Sequence, residues 1–486
     1  MICMDEQEIL RVLTNEFNLH WESGETPKSR VKDFKRRDFF ALLDQLKSEK
    51  ITSIIGPRRV GKTTIMFQLI DHLIKEKSIN PNRILYVSMD NDYLIKNSEE
   101  PLKDILDVYL KYVLKESPSK LQDNIYVFLD EIQYLSDWQK KMKSWFDYKY
   151  SIKFVISGSS SMLIQKGATY LVGRMHERVI LPLKFVDVLN YHSKDREYNE
   201  IAMNLRNSLR LVISKKNPDI LWKAINDVSY DLVKNEHEID LTLQSFMIKG
   251  GYPELLGIED YSACSSELKD TILSKSVLDI VERYKIRNIG VLRYLFTIIA
   301  AKSGGKVTYT GISQNLGVER PTIISHLDYL EDAFLISKSN FYSKSVVKRA
   351  RKEKKYYVSD TGMRNSIVGM MNESLLKDSA ELGIVAETLV FDHTKRLRFF
   401  LSERQTAETF YWSSNGNEID IILDYGGISI PIEVKFRDRI DPTHSKAMFD
   451  FMKKYKSPFG IMVTKNHLEL KDKILYIPLR LYLMMC

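Results

Sequence analysis

Ile51-Thr52-Ser53-Ile54-Ile55-Gly56-Pro57-Arg58-Arg59-Val60-Gly61-Lys62-Thr63-Thr64 decides how the rest of the chain is read. Its first five residues are an apolar strand, and the segment from Gly56 to Thr63 fits G-x-x-x-x-G-K-[ST] without a mismatch. Thr63 to Lys75 then carries the periodicity of an amphipathic helix. Strand, glycine loop and helix in that order bring backbone N–H groups and the positive end of a helix dipole to one point, which is a site for a polyanion. The backbone from Gly56 through Thr64, including Pro57, Arg58, Arg59, Val60 and Gly61, is expected to wrap nucleotide phosphates. Lys62 is expected to reach the β and γ phosphates, Thr63 to present its hydroxyl to Mg²⁺, and Thr64 to make a weaker phosphate contact. The expected ligands are therefore ATP and Mg²⁺.

Working outward, Ile125-Tyr126-Val127-Phe128-Leu129-Asp130-Glu131 is an apolar strand that delivers two carboxylates at its end. Asp130 suits the Mg²⁺ shell, and Glu131 suits the polarisation of a water against the γ-phosphate. A helix-initiating acidic pair is the plainer alternative. The run Ile84-Leu85-Tyr86-Val87-Ser88 lies between the two motifs, so the acidic strand is not simply the next in sequence. That order resembles the AAA-type and RecA-type ATPases. The resemblance implies that Lys153-Phe154-Val155-Ile156 leads to a polar sensor of the γ-phosphate, at Ser157 or Ser159, although Ser157-Gly158-Ser159-Ser160 is also ordinary loop chemistry. Gly173-Arg174 precedes the apolar run Val179-Ile180-Leu181-Pro182-Leu183, and the Arg174 guanidinium could offset charge on a transferred phosphoryl. In such ATPases this arginine often serves a neighbour's nucleotide, which implies a homo-oligomer; a plain surface arginine is the alternative.

Composition is that of a large folded enzyme: 486 residues with 44% hydrophobic content, enough for about three domains. No run reaches the roughly 18 to 20 apolar residues of a membrane span, and Met1-Ile2-Cys3-Met4-Asp5-Glu6 is too acidic for a secretory leader. A cytoplasmic protein without a membrane partner is expected. Cys3, Cys264 and Cys486 are far apart with no Cys-x-x-Cys or Cys/His grouping, so neither a disulfide framework nor a zinc site is suggested. The net charge of +8, from 72 basic and 64 acidic residues, does not by itself indicate nucleic acid.

Residues 1–45 read as a charged helical lead-in, with Lys35-Arg36-Arg37 taken as solvated surface, and 46–183 as the nucleotide core. Residues 184–289 read as a helical lid containing Gly250-Gly251-Tyr252-Pro253-Glu254. Between 290 and 360, Gly311 to Val318 and Arg320 to Leu330 give helix, glycine turn, helix, and Phe334-Leu335-Ile336 with Lys355-Tyr356-Tyr357-Val358 suggest the strands of a wing. The basic run from Lys348 to Lys355 between them suits phosphates. DNA is the expected partner, through Thr322, Ser325 and the wing; a packing module and a charged loop tip are the alternatives.

The region 375–486 carries a second set of carboxylates. Glu381 to Leu397 reads as a helix bearing Glu387, followed by strands at Thr409 to Ser413, Glu418 to Leu423 and Ile428 to Phe436. Glu418-Ile419-Asp420 and Glu433-Val434-Lys435 each put their polar groups on one strand face, with Ile419 and Val434 directed to the core. Asp420, Glu433 and Glu387 could gather about Mg²⁺, with Lys435 beside them to orient a water. With Phe459-Gly460-Ile461-Met462-Val463 as a later strand, this αβββαβ order resembles the PD-(D/E)xK nucleases, apart from Ile419 where a proline is usual.

As a whole the chain resembles a large archaeal and bacterial family of AAA-type ATPases that end in a nuclease-like domain. The motifs that carry this are GPRRVGKTT, FLDEIQ, LVGR, GGYPE, EID and EVK. The implied architecture is α/β: a P-loop parallel-sheet ATPase domain with a helical lid, a winged helix-turn-helix, and a restriction-endonuclease-like domain. The implied activity is ATP hydrolysis coupled to DNA processing, with Mg²⁺-dependent cleavage or, alternatively, a nucleotide-controlled switch whose C-terminal domain is catalytically silent. A small-molecule kinase is a third reading, disfavoured by Glu131 following Asp130.

Overall fold

Four apolar stretches, each too short for a helix, form the first sheet as β1 (Ile51–Ile55), β2 (Ile84–Ser88), β3 (Ile125–Asp130) and β4 (Ile152–Gly158), joined by the largely polar β5 (Met175–Val179). The computed structural model describes residues 5–158, 171, 173–193, 197–401, 406–414, 416–437 and 439–486, so Ser159, Val172 and Cys3 lie outside the described residues. The strand order is β2-β3-β4-β1-β5 and every pairing is parallel. Strands β1 to β4 are almost wholly buried, as a parallel sheet covered on both faces requires. The helix Lys62–Lys75 covers this sheet and buries Ile65, Met66, Leu69, Ile70 and Leu73. The chain divides into two compact units, Met1–Leu181 and Pro182–Cys486.

Within the first unit, Arg36 is not solvated. Its side chain is buried and its guanidinium donates to the carbonyls of Val60 and Leu181 at 3.2 and 2.9 Å, with Asp38 at 2.9 Å. Of the run read as surface, Lys35 stays exposed, and Arg36 is drawn in to the carbonyls of Val60 and Leu181.

The second unit opens with helices, among them Phe185–His192, Asn199–Lys215, Asp219–Leu232 and Glu236–Lys249. The Gly250-Gly251 pair is a close-approach point: a Cβ on Gly251 would lie 2.2 Å from the Leu183 carbonyl, and one on Gly250, at φ +74°, 2.2 Å from the Asp360 carboxylate. Beyond Ile289–Ala301 come Tyr309–Leu316, the left-handed Gly317, and Arg320–Asp332. The remaining strands are β6 (Gly305–Val307), β7 (Ile336–Phe341), β8 (Lys354–Val358), β9 (Ala407–Ser414), β10 (Asn417–Tyr425), β11 (Ile428–Lys435), β12 (Gly460–Thr464), β13 (Glu469–Lys471) and β14 (Ile474–Pro478). The strand expected at Phe334–Ile336 begins only at Ile336, because Phe334 takes φ +60° as the preceding helix ends.

All nine form one sheet in the order β13-β14-β12-β11-β10-β9-β7-β8-β6. The join is the parallel pairing of β7 with β9, Asn340 to Phe410 and Phe341 to Tyr411. The sheet therefore runs unbroken across the segment between 360 and 375. The helix Ser379–Leu401 packs on this sheet, and Phe341, Tyr342, Phe410, Trp412, Ile419, Ile422 and Phe451 fill the core at the join. Cys264 and Cys486 are buried free thiols. Among the described residues no helix is long and apolar enough to cross a membrane.

Candidate nucleotide site and carboxylate cluster

At the end of β1 the chain turns through Gly56 to Gly61 and enters the helix that starts at Lys62. Two left-handed residues, Arg59 at φ +62° and Gly61 at φ +91°, curl the loop into a concave run of amides that suits an anion. The Lys62 ammonium is buried and donates to the carbonyls of Gly56 and Pro57 at 3.1 and 2.9 Å, which holds it inside the loop. Arg58 donates to the Tyr134 hydroxyl at 3.2 Å, while Thr64 is half-buried beside the exposed Thr63.

Opposite the loop, β3 ends at Asp130, and this carboxylate is the hub of the site. It accepts from Thr63 Oγ1 at 2.5 Å, from the Tyr86 hydroxyl at 3.0 Å and, on its other oxygen, from Ser157 Oγ. Burial, then the Asp130 charge, push the Tyr86 hydroxyl well above its ordinary pKa, so it remains a donor. Glu131 follows in the left-handed region, φ +51°, which turns it away from the strand; its N–H donates to Asp130 Oδ1 and Ser157 Oγ, both at 3.1 Å, and its carboxylate accepts from Gln133. The adjacent Thr63 hydroxyl and Asp130 carboxylate are hard oxygen donors of the kind Mg²⁺ takes. Arg174 is half-buried and ion-paired to Asp147 at 2.9 Å. Tyr86 and Arg36 are the members that reading by motif missed; Tyr86 was legible only as an apolar strand residue.

A second cluster lies in the second unit. Ile421 of β10 pairs with Ile432 of β11, so the antiparallel ladder leads Asp420 towards Glu433. The Val434 N–H donates to Asp420 at 3.1 Å, the Asp420 N–H donates to Glu433 at 3.3 Å, and Lys435 pairs with Glu433 at 2.5 Å. Glu387, from the helix Ser379–Leu401, accepts from the Tyr357 hydroxyl at 2.8 Å.

Between Glu387 and Asp420 stands Lys355, a residue the sequence assigned to the phosphate-contacting run. The structure corrects that assignment: Lys355 is 3% exposed, and its ammonium lies 2.7 Å from Glu418, 3.4 Å from Glu387 and 3.7 Å from Asp420. Lys306 holds the other Glu418 oxygen at 2.5 Å. Four carboxylates thus face three ammonium groups. Burial, then the Asp420 charge, raise Glu387 and Glu433 towards holding a proton. Burial works to lower Lys355, yet Tyr357 and the surrounding carboxylates hold it well above its ordinary value. Among the described residues no three acidic, histidine or cysteine groups come together as a metal-binding set. With Lys355 so placed, this cluster does not fit Mg²⁺.

Residues 48–189 match the family described as an AAA domain, residues 241–374 match a domain of unknown function (DUF8612), and residues 382–482 match another (DUF4143). An uncharacterised protein of Methanocaldococcus jannaschii is 28% identical over 379 residues, covering 77% of this chain and 72% of its own. A second uncharacterised protein of the same organism is 24% identical over 465 residues, covering 93% and 90%. Among solved structures, the Aeropyrum pernix ORC1 protein in complex with DNA aligns at 10% identity over 71% of this chain and 94% of that one, with a TM-score of 0.28. The loop at Gly56, the acidic end of β3, the parallel five-stranded sheet and the family match agree: residues 48–189 form an AAA-type P-loop ATPase domain.

Proposed function

We propose that this protein hydrolyses ATP and that the nucleotide state governs its hold on DNA. The observation that carries the first half is Asp130, tied at once to Thr63 of the loop and to Ser157 at the end of β4. The loop amides from Gly56 to Thr64 and the Lys62 ammonium would take the phosphates, and Thr63 with Asp130 would hold Mg²⁺. The metal, when bound, supplies positive charge that offsets charge on the phosphoryl oxygens. Glu131 would orient the attacking water and accept its proton, while Ser157, bonded to both Asp130 and the Glu131 amide, would position the pair. Arg174 would act on a nucleotide in an assembled homo-oligomer, having exchanged its Asp147 partner.

The test is direct. Lys62→Ala should abolish nucleotide binding, and Glu131→Gln should bind ATP without turning it over. Unchanged turnover in Glu131→Gln would remove its role as base.

For DNA, support comes from the order of the helices Tyr309–Leu316 and Arg320–Asp332 with β6, β7 and β8, which is that of a winged helix-turn-helix. The helix Val346–Arg351 adds a strip of exposed bases, Lys344, Lys348, Arg351 and Lys352, next to exposed Val346 and Val347. Lys348→Glu with Lys352→Glu should weaken duplex binding across all sequences and lower the salt slope by roughly 0.9 for each phosphate no longer neutralised. An unchanged slope, measured by fluorescence anisotropy, would remove the strip from the interface.

A second reading is cleavage by a PD-(D/E)xK-like C-terminal domain. In its favour stands the chain of hydrogen bonds from Asp420 through Glu433 to Lys435, with Glu387 opposite. A panel of single-stranded, duplex, forked and junction DNAs with Mg²⁺ or Mn²⁺ decides it: cutting that Asp420→Ala abolishes would establish the activity.

A further inference from the structure

We infer that Lys355 is the resident cation of the C-terminal carboxylate cluster, standing where a divalent metal would otherwise bind, and that the cluster is a metal-free ionic clasp.

Three observations carry this. The first is distance: a single ammonium sits within 2.7 to 3.7 Å of carboxyl oxygens from three residues, Glu418, Glu387 and Asp420. Those residues come from the helix Ser379–Leu401 and from β10, and converging oxygens from separate elements are what a hard cation needs. An ammonium in their midst supplies that charge and repels a second cation in the same space.

The second observation is how Lys355 is held. It lies on an interior strand, paired with Lys306 of β6 on one side and Ser339 of β7 on the other. Its ammonium packs over the Tyr411 ring at 5.7 Å. Side chains of β8 alternate, and Tyr357, two residues on, points the same way and bonds Glu387. Withdrawing Lys355 therefore means parting two ladders or leaving a buried ammonium without partners.

The third is the neighbour. Lys306 and Lys355 are directly opposed across β6 and β8, an arrangement of like charges that is unfavourable by itself. Glu418 resolves it by bridging the two, one oxygen to each. The lysine pair and the glutamate make sense as a unit, and that unit has no use for a metal. Metal-dependent cutting that Asp420→Ala abolishes would contradict the inference, which is read out directly by metal binding.

The experiment is a Mn²⁺ titration of the nucleotide-free full chain, followed by the electron paramagnetic resonance of free Mn²⁺. Wild type and Asp420→Asn should bind the same amount. Lys355→Met should gain a site, and adding Asp420→Asn to it should remove that gain. Should Lys355→Met not fold, Lys355→Met with Glu418→Gln, which deletes a carboxylate together with the ammonium, carries the same comparison. A Mn²⁺ site in wild type that Asp420→Asn abolishes would overturn the inference. So would folded Lys355 variants that gain no site.

Discussion

Gly56 and Gly61 belong to one motif, yet they are glycine for different physical reasons. Gly61 has φ +91°, and a Cβ there would meet only Thr64 Cβ at an unstrained 4.0 Å, so its need is conformational. At Gly56 the need is room: a Cβ would sit 2.0 Å from the Ile180 carbonyl, and backbone cannot swing aside as a side chain can. Gly56→Ala should therefore displace the loop, lower stability by about 2 kcal/mol as overpacked sites do, and weaken ATP binding. Urea denaturation and a fluorescent-nucleotide titration check both. Normal ATP affinity in Gly56→Ala would mean that the loop repacks around Ile180. At this scale the loop residues were legible because the motif is local, whereas Arg36 was not, since its burial depends on the carbonyls of Val60 and Leu181 that only the fold brings near.

Among the elements, the helix Thr361–Val368 shows how one carboxylate can join two segments. Asp360 accepts from the Met363 N–H at 3.0 Å as its N-cap and from the Gly251 N–H at 2.8 Å. Burial raises its pKa to about 6, despite those two amides. The folded state thus holds the proton more tightly than the unfolded chain does, so between about pH 4 and pH 6 stability falls as pH rises. Asp360→Asn keeps an acceptor for the cap and has no charge to bury. Its stability relative to wild type should therefore rise from pH 4 to pH 7, and equal pH profiles of the two denaturation midpoints would refute this. Strands β1 to β4 were legible as apolar runs between breakers, whereas the polar β5, Met175–Val179, was not. The start of β7 was not, because nothing local marks Phe334 as left-handed.

At the scale of the whole molecule, the first unit contains its entire five-stranded sheet and the hydrogen bonds around Asp130. Residues 1–181 alone are expected to fold and bind ATP, measured by calorimetry with Lys62→Ala as the blank; failure to fold would show that the sheet depends on residues beyond it. The second unit was legible in pieces, as two helices about a glycine turn and as strands carrying Glu-x-Lys. Its unity was not, because the pairing of β7 with β9 and the position of Lys355 among distant carboxylates are long-range arrangements that no local periodicity encodes.

The clasp also depends on strand register, which can change only by whole residues. Side chains of β8 alternate between faces, with Lys355 and Tyr357 turned to Glu387 and Tyr356 turned to the Tyr309 hydroxyl. A slip of β8 by a single residue would present Lys354 or Tyr356 in place of Lys355, and a slip of two would present Glu353 or Tyr357. Three of those four settings would put a group other than an ammonium before the carboxylates, so the register of β8 fixes the charge of the cluster.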